Sequence, residues 1–560
     1  MENFARSGIC GTPKPPFVAC SPKRETAMNP PSRLDAIVLA MSDPAFYPHE
    51  VSGIEIRQTH ISSVLLTGQW AYKLKKPKNL GFLDFRDLGE RRRFCLREAE
   101  LNSRLSTGVY AGVVDIHEDD GRLSFGPGGR VVEYAVKMRQ LPEEANLAHL
   151  LESGTFNDDR LEDLGRVLAA FHAGALRSPD IDGFGDPELI RFNMEENFEQ
   201  IGPYVPGLLD ADKWEFIRQV SRAFWQDHQD LFRHRVRSGR IRDGHGDLRA
   251  DHVYLHEGIQ IIDCIEFNDR FRYGDTALDL AFLKMDLDRL GFAEAARSLV
   301  AFYARAASDP EVYALLDFYA AYRALVRLKV SCMSMDQADE DRRALLQSDS
   351  RAYLDLAFRY ALSFGRPTLW VFCGLPSSGK STLAERTAAA LFMPLFSSDA
   401  VRKEDGEMPG ASVVPIDAGP YRPLLRGRIY ARLLNLAMER LRNGSSVVLD
   451  ATFSESRWRR SAIQLADDLK TDIVFAHCVC STATLKRRLA MRDTSPGASD
   501  ARLFHLDEMQ KRYEGFDSHP EDTYLRIDTD ETVESCLHIL LSRAHALKTI
   551  QAERIAGRLR

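Results

Sequence analysis

The sequence predicts two unlike parts in one chain. The first is α+β, a small strand-rich lobe followed by a larger helical lobe; the second is α/β, with a doubly wound parallel sheet. Three observations predict this. Residues 54–76 and 109–142 alternate and are rich in β-branched and aromatic residues, whereas 159–363 is dominated by helical periodicity. The stretch SFGRPT at 363–368 then breaks a helix with Gly and Pro. Beyond it, short apolar runs alternate with amphipathic helical stretches.

In order, 34–41 is a short apolar segment and Pro44 and Pro48 mark a loop. Residues 54–76 read as paired strands with a turn at Gly68, 87–106 as a charged amphipathic helix, and 109–125 with 128–142 as two or three more strands. Helices are expected at 159–174, 189–200, 211–235, 276–290, 293–307, 311–335 and 340–363. In the second part TLWVFCG, MPLFSSD, SSVVLDATF, DIVFAHCVC and TYLRIDT read as strands, with helices between them.

The 560 residues are 44% hydrophobic and 28% charged, which gives material for more than one core and an expectation of several domains. A net charge of −7 excludes a strongly basic nucleic-acid surface over the whole molecule, though not a local groove. Nine cysteines are scattered, and Cys478 with Cys480 matches no common zinc spacing; free thiols in a reducing cytoplasm are expected. The chain has no apolar run of about 18 residues, so no membrane partner is expected. Residues 1–33, rich in Pro, Ser, Lys and Arg, read as a disordered leader, with Met28 as an alternative start.

The sharpest motif is Gly374-Leu375-Pro376-Ser377-Ser378-Gly379-Lys380-Ser381, GxxxxGK[ST], with Thr382 next, set between an apolar run and a helical one. Glycines let backbone N–H groups wrap phosphates, and the following helix start adds favourable partial charge. Lys380 would reach the β/γ-phosphates of ATP and Ser381 would ligate Mg²⁺; the bland alternative is a chance glycine-rich turn. Asp399 and Arg402 follow the second expected strand, Asp450 ends VVLD, and Arg488 and Arg492 lie four apart on one helix face. A helix N-cap for Asp399 and a solvated face for the arginines are the competing readings. Residues 366–530 resemble the P-loop kinases of small molecules and of polynucleotide 5′-ends, with zeta-type toxins as more distant relatives. That resemblance implies Asp399 as base, Arg402 as substrate-positioning arginine, Arg488 and Arg492 in a lid, and Asp450 at the Walker-B position, with contact to substrate as its alternative role.

In the first part, Trp70-Ala71-Tyr72-Lys73 lies on a strand, Glu98 on the following helix, and His245-Gly246-Asp247 ahead of an apolar strand. Asp263 ends IQIID, and Gly274-Asp275-Thr276-Ala277-Leu278-Asp279-Leu280-Ala281 follows. In this order they resemble the aminoglycoside phosphotransferase-like kinases, whose lobes are built like those of protein kinases. The resemblance covers 34–362, with a small lobe at about 45–140 and a helical lobe at 141–362. It implies Lys73, with Lys75 as rival, as the phosphate-holding lysine, and Glu98, with Glu100 as rival, as its acid partner. It further implies Asp247 as base and Asp263 as magnesium ligand, 132–142 as the adenine hinge, and 274–281 as a brace for the loop. Two departures stand out. His252 occupies the usual asparagine position, where it would either ligate Mg²⁺ or hydrogen-bond around Asp247 and hold the loop. The spacing from Asp263 to Asp275 is long, so Glu266 competes for the metal. His172 and His245 read as satisfied core histidines.

The order of the parts resembles bacterial two-domain proteins that place such a kinase-like domain before a P-loop domain, here 366–560. The reading is a cytoplasmic, ATP- and Mg²⁺-dependent phosphotransferase with two nucleotide sites, acting on a hydroxyl of a small molecule or of a nucleic-acid 5′-end. Its rivals are a non-catalytic kinase-like domain that regulates the P-loop domain, and a nucleotide-driven switch with no acceptor.

Overall fold

A computed structural model describes residues 32–81, 83–157, 159–404, 423–494, 503–516 and 523–558. The expected leader therefore lies almost wholly outside the described residues. The small lobe is a six-stranded antiparallel sheet in the order β1-β2-β3-β6-β4-β5. Its strands are β1 (Glu55–Gln58), β2 (Ser62–Leu66), β3 (Trp70–Lys75), β4 (Tyr110–Asp119), β5 (Arg122–Ser124) and β6 (Arg130–Arg139). The stretch 54–76 is thus three strands, not a pair. Besides the turn at Gly68, where φ is +93°, the chain turns at 59–61, and the Thr59 hydroxyl accepts the Ser62 N–H at 2.9 Å. Helix Leu88–Asn102, capped by Asp87 accepting from the Glu90 N–H, packs on this sheet and buries Phe94, Cys95 and Glu98.

The helical lobe is built on Val312–Ser334 and Glu340–Phe364, which are packed together along their lengths and share one core with Asp159–Gly174, Thr276–Leu290 and Ala293–Ala306. The helix expected at 211–235 is two, Ala211–Asp227 and Gln229–Arg237. His228 leaves helical geometry at φ −112°, ψ 24°, and its ring stacks on Phe224 with centroids 3.9 Å apart. Two short antiparallel ribbons lie beside the His-Gly-Asp loop: β7 (Ile241–Asp243) with β10 (Tyr273–Asp275), and β8 (Val253–Tyr254) with β9 (Gln260–Ile261).

The α/β part has five parallel strands in the order β12-β13-β11-β14-β15. These are β11 (Thr368–Cys373), β12 (Leu395–Ser397), β13 (Val447–Asp450), β14 (Asp472–Val479) and β15 (Tyr524–Asp528). Central β11 is buried at every residue, as its unbroken apolar run requires. The long helix Val533–Arg558 belongs to both parts: Leu537, Leu540 and Leu541 pack under the sheet, while Ala552 and Ala556 enter the helical-lobe core. His545 from that helix also lies 3.1 Å from Asp317 of the helical lobe. Among the described residues no helix is long and apolar enough to cross a membrane, and the cysteines are free thiols, Cys480 alone being partly exposed.

Buried charge locks the helical lobe. Arg235 is completely enclosed, donating to both oxygens of Asp275 at 2.9 and 2.7 Å and to Asp309 at 2.6 Å. Asp275 also caps helix Thr276–Leu290 through the Ala277 N–H. Arg235→Met should destabilise this lobe by about 3–5 kcal/mol, because it strands two buried carboxylates. Arg233→Met, which removes an exposed pair with Asp230 and an exposed hydrogen bond to Gln229, should cost no more than about 0.5 kcal/mol; urea unfolding midpoints of the two variants test the contrast.

Candidate functional site

Alternation along β3 sends Lys73 and Lys75 to the same face of the sheet, where both meet Glu98. Lys73 Nζ lies 2.8 Å from Glu98 Oε1, and Lys75 Nζ lies 2.7 Å from Oε2. Their other partners separate the two lysines. Lys73, 13% exposed and facing the cleft, continues to Asp263 at 2.5 Å. Lys75 is wholly buried, pairs with Glu266 and sits over the Phe85 ring. Glu100 points to solvent. Asp263 is 45% exposed and Glu266 only 5%, so the carboxylate presented to the cleft is Asp263. Burial opposes ionisation of Asp263, and the Lys73 charge overrides it, holding the carboxyl well below the usual range. Its backbone is in the left-handed region, φ +64°, a strained state for a residue with a side chain.

The His245-Gly246-Asp247 turn is gripped through its backbone. Asp279 accepts the His245 N–H at 2.6 Å and the Gly246 N–H at 2.9 Å, and the His172 ring lies 3.4 Å behind it. Gly246 has φ +86°, and a Cβ there would come 2.8 Å from the Phe271 carbonyl. His172 and His245 are, as expected, satisfied core histidines: His172 bonds Tyr303, His245 bonds the Ile262 carbonyl, and burial pushes His245 down to about 4.

Asp247 is about a quarter exposed, with Arg249 Nε at 3.3 Å. Burial favours its neutral form, but Arg249, His252 and Arg327 together keep its pKa below the ordinary value. His252 Nδ1 lies 2.8 Å from the Asp247 carbonyl, and Nε2 lies 2.9 Å from Arg249 Nη2 and 3.5 Å from Asp263. A guanidinium only donates, so Nε2 accepts and Nδ1–H donates to the carbonyl. His252 therefore ties the Asp247 carbonyl to Arg249, with Asp263 beside it.

In the α/β part the register places Phe372 and Ser397 on either side of Asp450, so three strands end together at the glycine-rich turn. Gly374 has φ +140°, and a Cβ there would sit 2.4 Å from the Cys478 carbonyl; Gly379 has φ +85° and precedes helix Lys380–Ala390. Asp450 is buried and its Oδ1 has no hydrogen-bond partner; burial pushes its carboxyl up despite Lys380 and Ser381. An orphaned carboxylate oxygen beside a serine hydroxyl and a phosphate-type loop suits a divalent cation. Asp399 and Arg402, one turn apart, pair at 3.1 Å. Arg488 is packed onto the loop, donating to the Thr529 carbonyl at 2.7 Å and the Ser377 carbonyl at 3.3 Å. The Arg492 side chain lies outside the described residues. Sequence reasoning missed Thr529, whose hydroxyl donates to the Ser378 carbonyl at 2.6 Å and staples β15 to the loop; its place just after an apolar strand was the available signal. It also missed Arg249, two residues beyond Asp247.

Residues 83–319 match the Phosphotransferase enzyme family, and 369–516 match the AAA domain. An uncharacterized protein of Mycobacterium tuberculosis is 33% identical over 494 residues, covering 87% of this chain and 95% of that protein. The GDP complex of aminoglycoside 2′-phosphotransferase-IIIa aligns over 57% of this chain and 98% of its own, at 16% identity and a TM-score of 0.35. A gluconokinase from Sinorhizobium meliloti aligns over 34% and 95%, at 18% identity and a TM-score of 0.24.

Gly374→Ala should cost about 1–3 kcal/mol from backbone strain and carbonyl overlap, seen as a lower unfolding midpoint. Gly258→Ala has positive φ but open space, and should cost about 1 kcal/mol. His245 sets a pH dependence. Its folded pKa lies below the unfolded one, so the unfolded chain takes up the proton first as pH falls. Stability should be full above about pH 6.5 and decline by up to about 3 kcal/mol toward pH 4. Urea midpoints across that window should flatten in His245→Gln.

Proposed function

The chain belongs to the same family as the mycobacterial protein, with a phosphotransferase domain followed by a P-loop kinase domain, and on that basis we propose an ATP- and Mg²⁺-dependent phosphotransferase with two nucleotide sites. The observation that supports it most is convergence: Lys73 and Asp263, 190 positions apart, meet in one cleft with Glu98 and Asp247. In the first site Lys73 would hold phosphates, steadied by Glu98. Asp247, kept ionised by its cationic neighbours, would take the proton of an acceptor hydroxyl. The Lys73–Asp263 pair would open, the lysine turning to phosphate and the carboxylate to the cation.

In the second site the backbone of 374–382 would wrap the phosphates, with Lys380 at the β/γ end and Ser381 and Asp450 toward the cation. Asp399 would act as base, and Arg402, Arg488 and Arg492 would balance charge on the transferred group. A bound Mg²⁺ supplies charge neutralisation on the phosphate oxygens in both sites. What the residues contribute is positioning and electrostatics, which is most of what phosphoryl transfer asks of a protein. The acceptor is read as a small-molecule hydroxyl, with a nucleic-acid 5′-end as the alternative, and the location as cytoplasmic.

A second reading keeps the first domain as a nucleotide-sensing regulator without catalysis. His252 favours it, since its Nε2 is engaged by Arg249 rather than turned to a metal. Transfer from γ-labelled ATP to a metabolite and RNA-end panel separates the two. Asp247→Ala should lower one set of products by about 10²–10⁴-fold, the usual worth of a general base, and Lys380→Ala should remove the other. Label that appears only as inorganic phosphate under every condition contradicts transfer altogether.

A further inference from the structure

Where the helical lobe meets the parallel sheet, a cavity of about 190 Å³ is left at the seam. The helical lobe lines it with Asp317 from helix Val312–Ser334 and with Ser363 and Phe364 from the end of helix Glu340–Phe364. The sheet adds Thr368 and Trp370 from β11, and helix Val533–Arg558 adds His545 and Lys548. A period of two puts Thr368 and Trp370 on one face of β11, and Trp370 packs there in one core with Leu537, Leu540 and Leu541 of that helix. The glycine-rich turn leaves β11 at its other end, about 20 Å from Thr368 by the rise of a parallel strand. The cavity is therefore separate from the nucleotide loop.

The charges lining this space are matched, with one exception inside it. Asp317 lies 3.1 Å from His545 Nε2, accepts the Ser363 hydroxyl at 2.6 Å and has Lys284 at 3.5 Å. Arg366 donates Nε to Asp472 at 2.9 Å. Lys548 stands three residues beyond His545, on the same helix face. Among the described residues its ammonium has no hydrogen-bond acceptor within 3.5 Å and no carboxylate within 4.0 Å. Thr368 is fully buried and its Oγ1 has no hydrogen-bond partner, while its N–H donates to Ser446 Oγ at 2.9 Å. Asp227, the other acid of the lining, is exposed like Gly444 and marks the mouth.

Water can satisfy an orphan hydroxyl, but it gives a partly buried ammonium no counter-charge. Burial holds the Lys548 ammonium below its ordinary pKa, against the pull of Asp472 and Asp317. The volume lies under the roughly 300–1,000 Å³ of sites for drug-sized ligands, which leaves a compact acid rather than a nucleotide. Phe364, Trp370 and Met393 offer such a molecule an apolar wall. We propose that the seam cavity is a binding site for a compact organic anion, a carboxylate or phosphate on an apolar body, whose charged group is received by Lys548 and Thr368. Its occupant braces helix Val533–Arg558 and β11 against the helical lobe. The site stands whether or not either domain transfers phosphate.

The test titrates the full chain, in excess MgADP, with benzoate, phenyl phosphate and uncharged benzyl alcohol by calorimetry. At least one of the two anions should bind saturably, one per chain, and benzyl alcohol at least tenfold more weakly. Benzoate alone marks a carboxylate and phenyl phosphate alone a phosphate; either supports the site. Lys548→Met should weaken the anion roughly ten- to a hundredfold, the worth of a charge-assisted hydrogen bond, and Lys548→Arg should restore part of it. The urea midpoint should rise with anion concentration in the wild type and stay flat in Lys548→Met. Without any anion, Lys548→Met should unfold at the wild-type midpoint or above it, because an unpaired cation is removed from a partly buried place. Saturable binding of neither anion, equal binding of benzyl alcohol, or anion binding indifferent to Lys548→Met overturns the proposal. So does a lower anion-free midpoint in Lys548→Met, which would make the lysine a structural support.

Discussion

Glu98 is the residue on which the first domain's cleft depends. One buried carboxylate divides its oxygens between two lysines of the same strand, and each lysine then reaches a different acid of the helical lobe. Charges taken out of water at this depth persist only when paired and hydrogen-bonded. The spacing of the two lobes is therefore set by ion pairs: Lys73, Lys75 and Glu98 come from the small lobe, Asp263 and Glu266 from the other. Lys75 with Glu266 closes the rear of the network, and Lys73 with Asp263 remains at the cleft.

The second domain solves the same electrostatic problem with backbone instead of side-chain charge. Its glycines admit a loop that no β-carbon would fit, and Arg488 and Thr529 hold that loop by its outward carbonyls. Two of its N–H groups are bonded within the protein, Gly374 to the Thr452 carbonyl at 3.2 Å and Ser378 to the Leu375 carbonyl at 3.1 Å. Helix Val533–Arg558 lies under this sheet and inside the helical-lobe core at once, so the domains share packing and cannot be treated as beads on a linker. His545 and Asp317 add a buried polar contact at that seam.

What was legible in the sequence follows from how local the constraint is. The glycine-rich turn is a contiguous demand on backbone geometry, so the eight residues 374–381 state it. The His-Gly-Asp turn is nearly as local, though its clamp, Asp279, stands more than thirty positions away. Lys73 and Lys75 could not be ranked, because a period of two places both on one face and only the tertiary partners tell them apart. For Asp263 and Glu266 the answer likewise lies in exposure, 45% against 5%, which no spacing encodes. The break at His228 was hidden by helical periodicity on both sides of it.

The central claim is that this one chain grips nucleotide at two independent places. Calorimetric titration of the full chain with a non-hydrolysable ATP analogue and Mg²⁺ measures it directly. Two sites per chain are expected in the wild type, one in Lys380→Ala and one in Asp263→Asn, with the surviving affinity in each variant close to that of the matching wild-type site. A single site in the wild type, or loss of all binding in either variant, would contradict it.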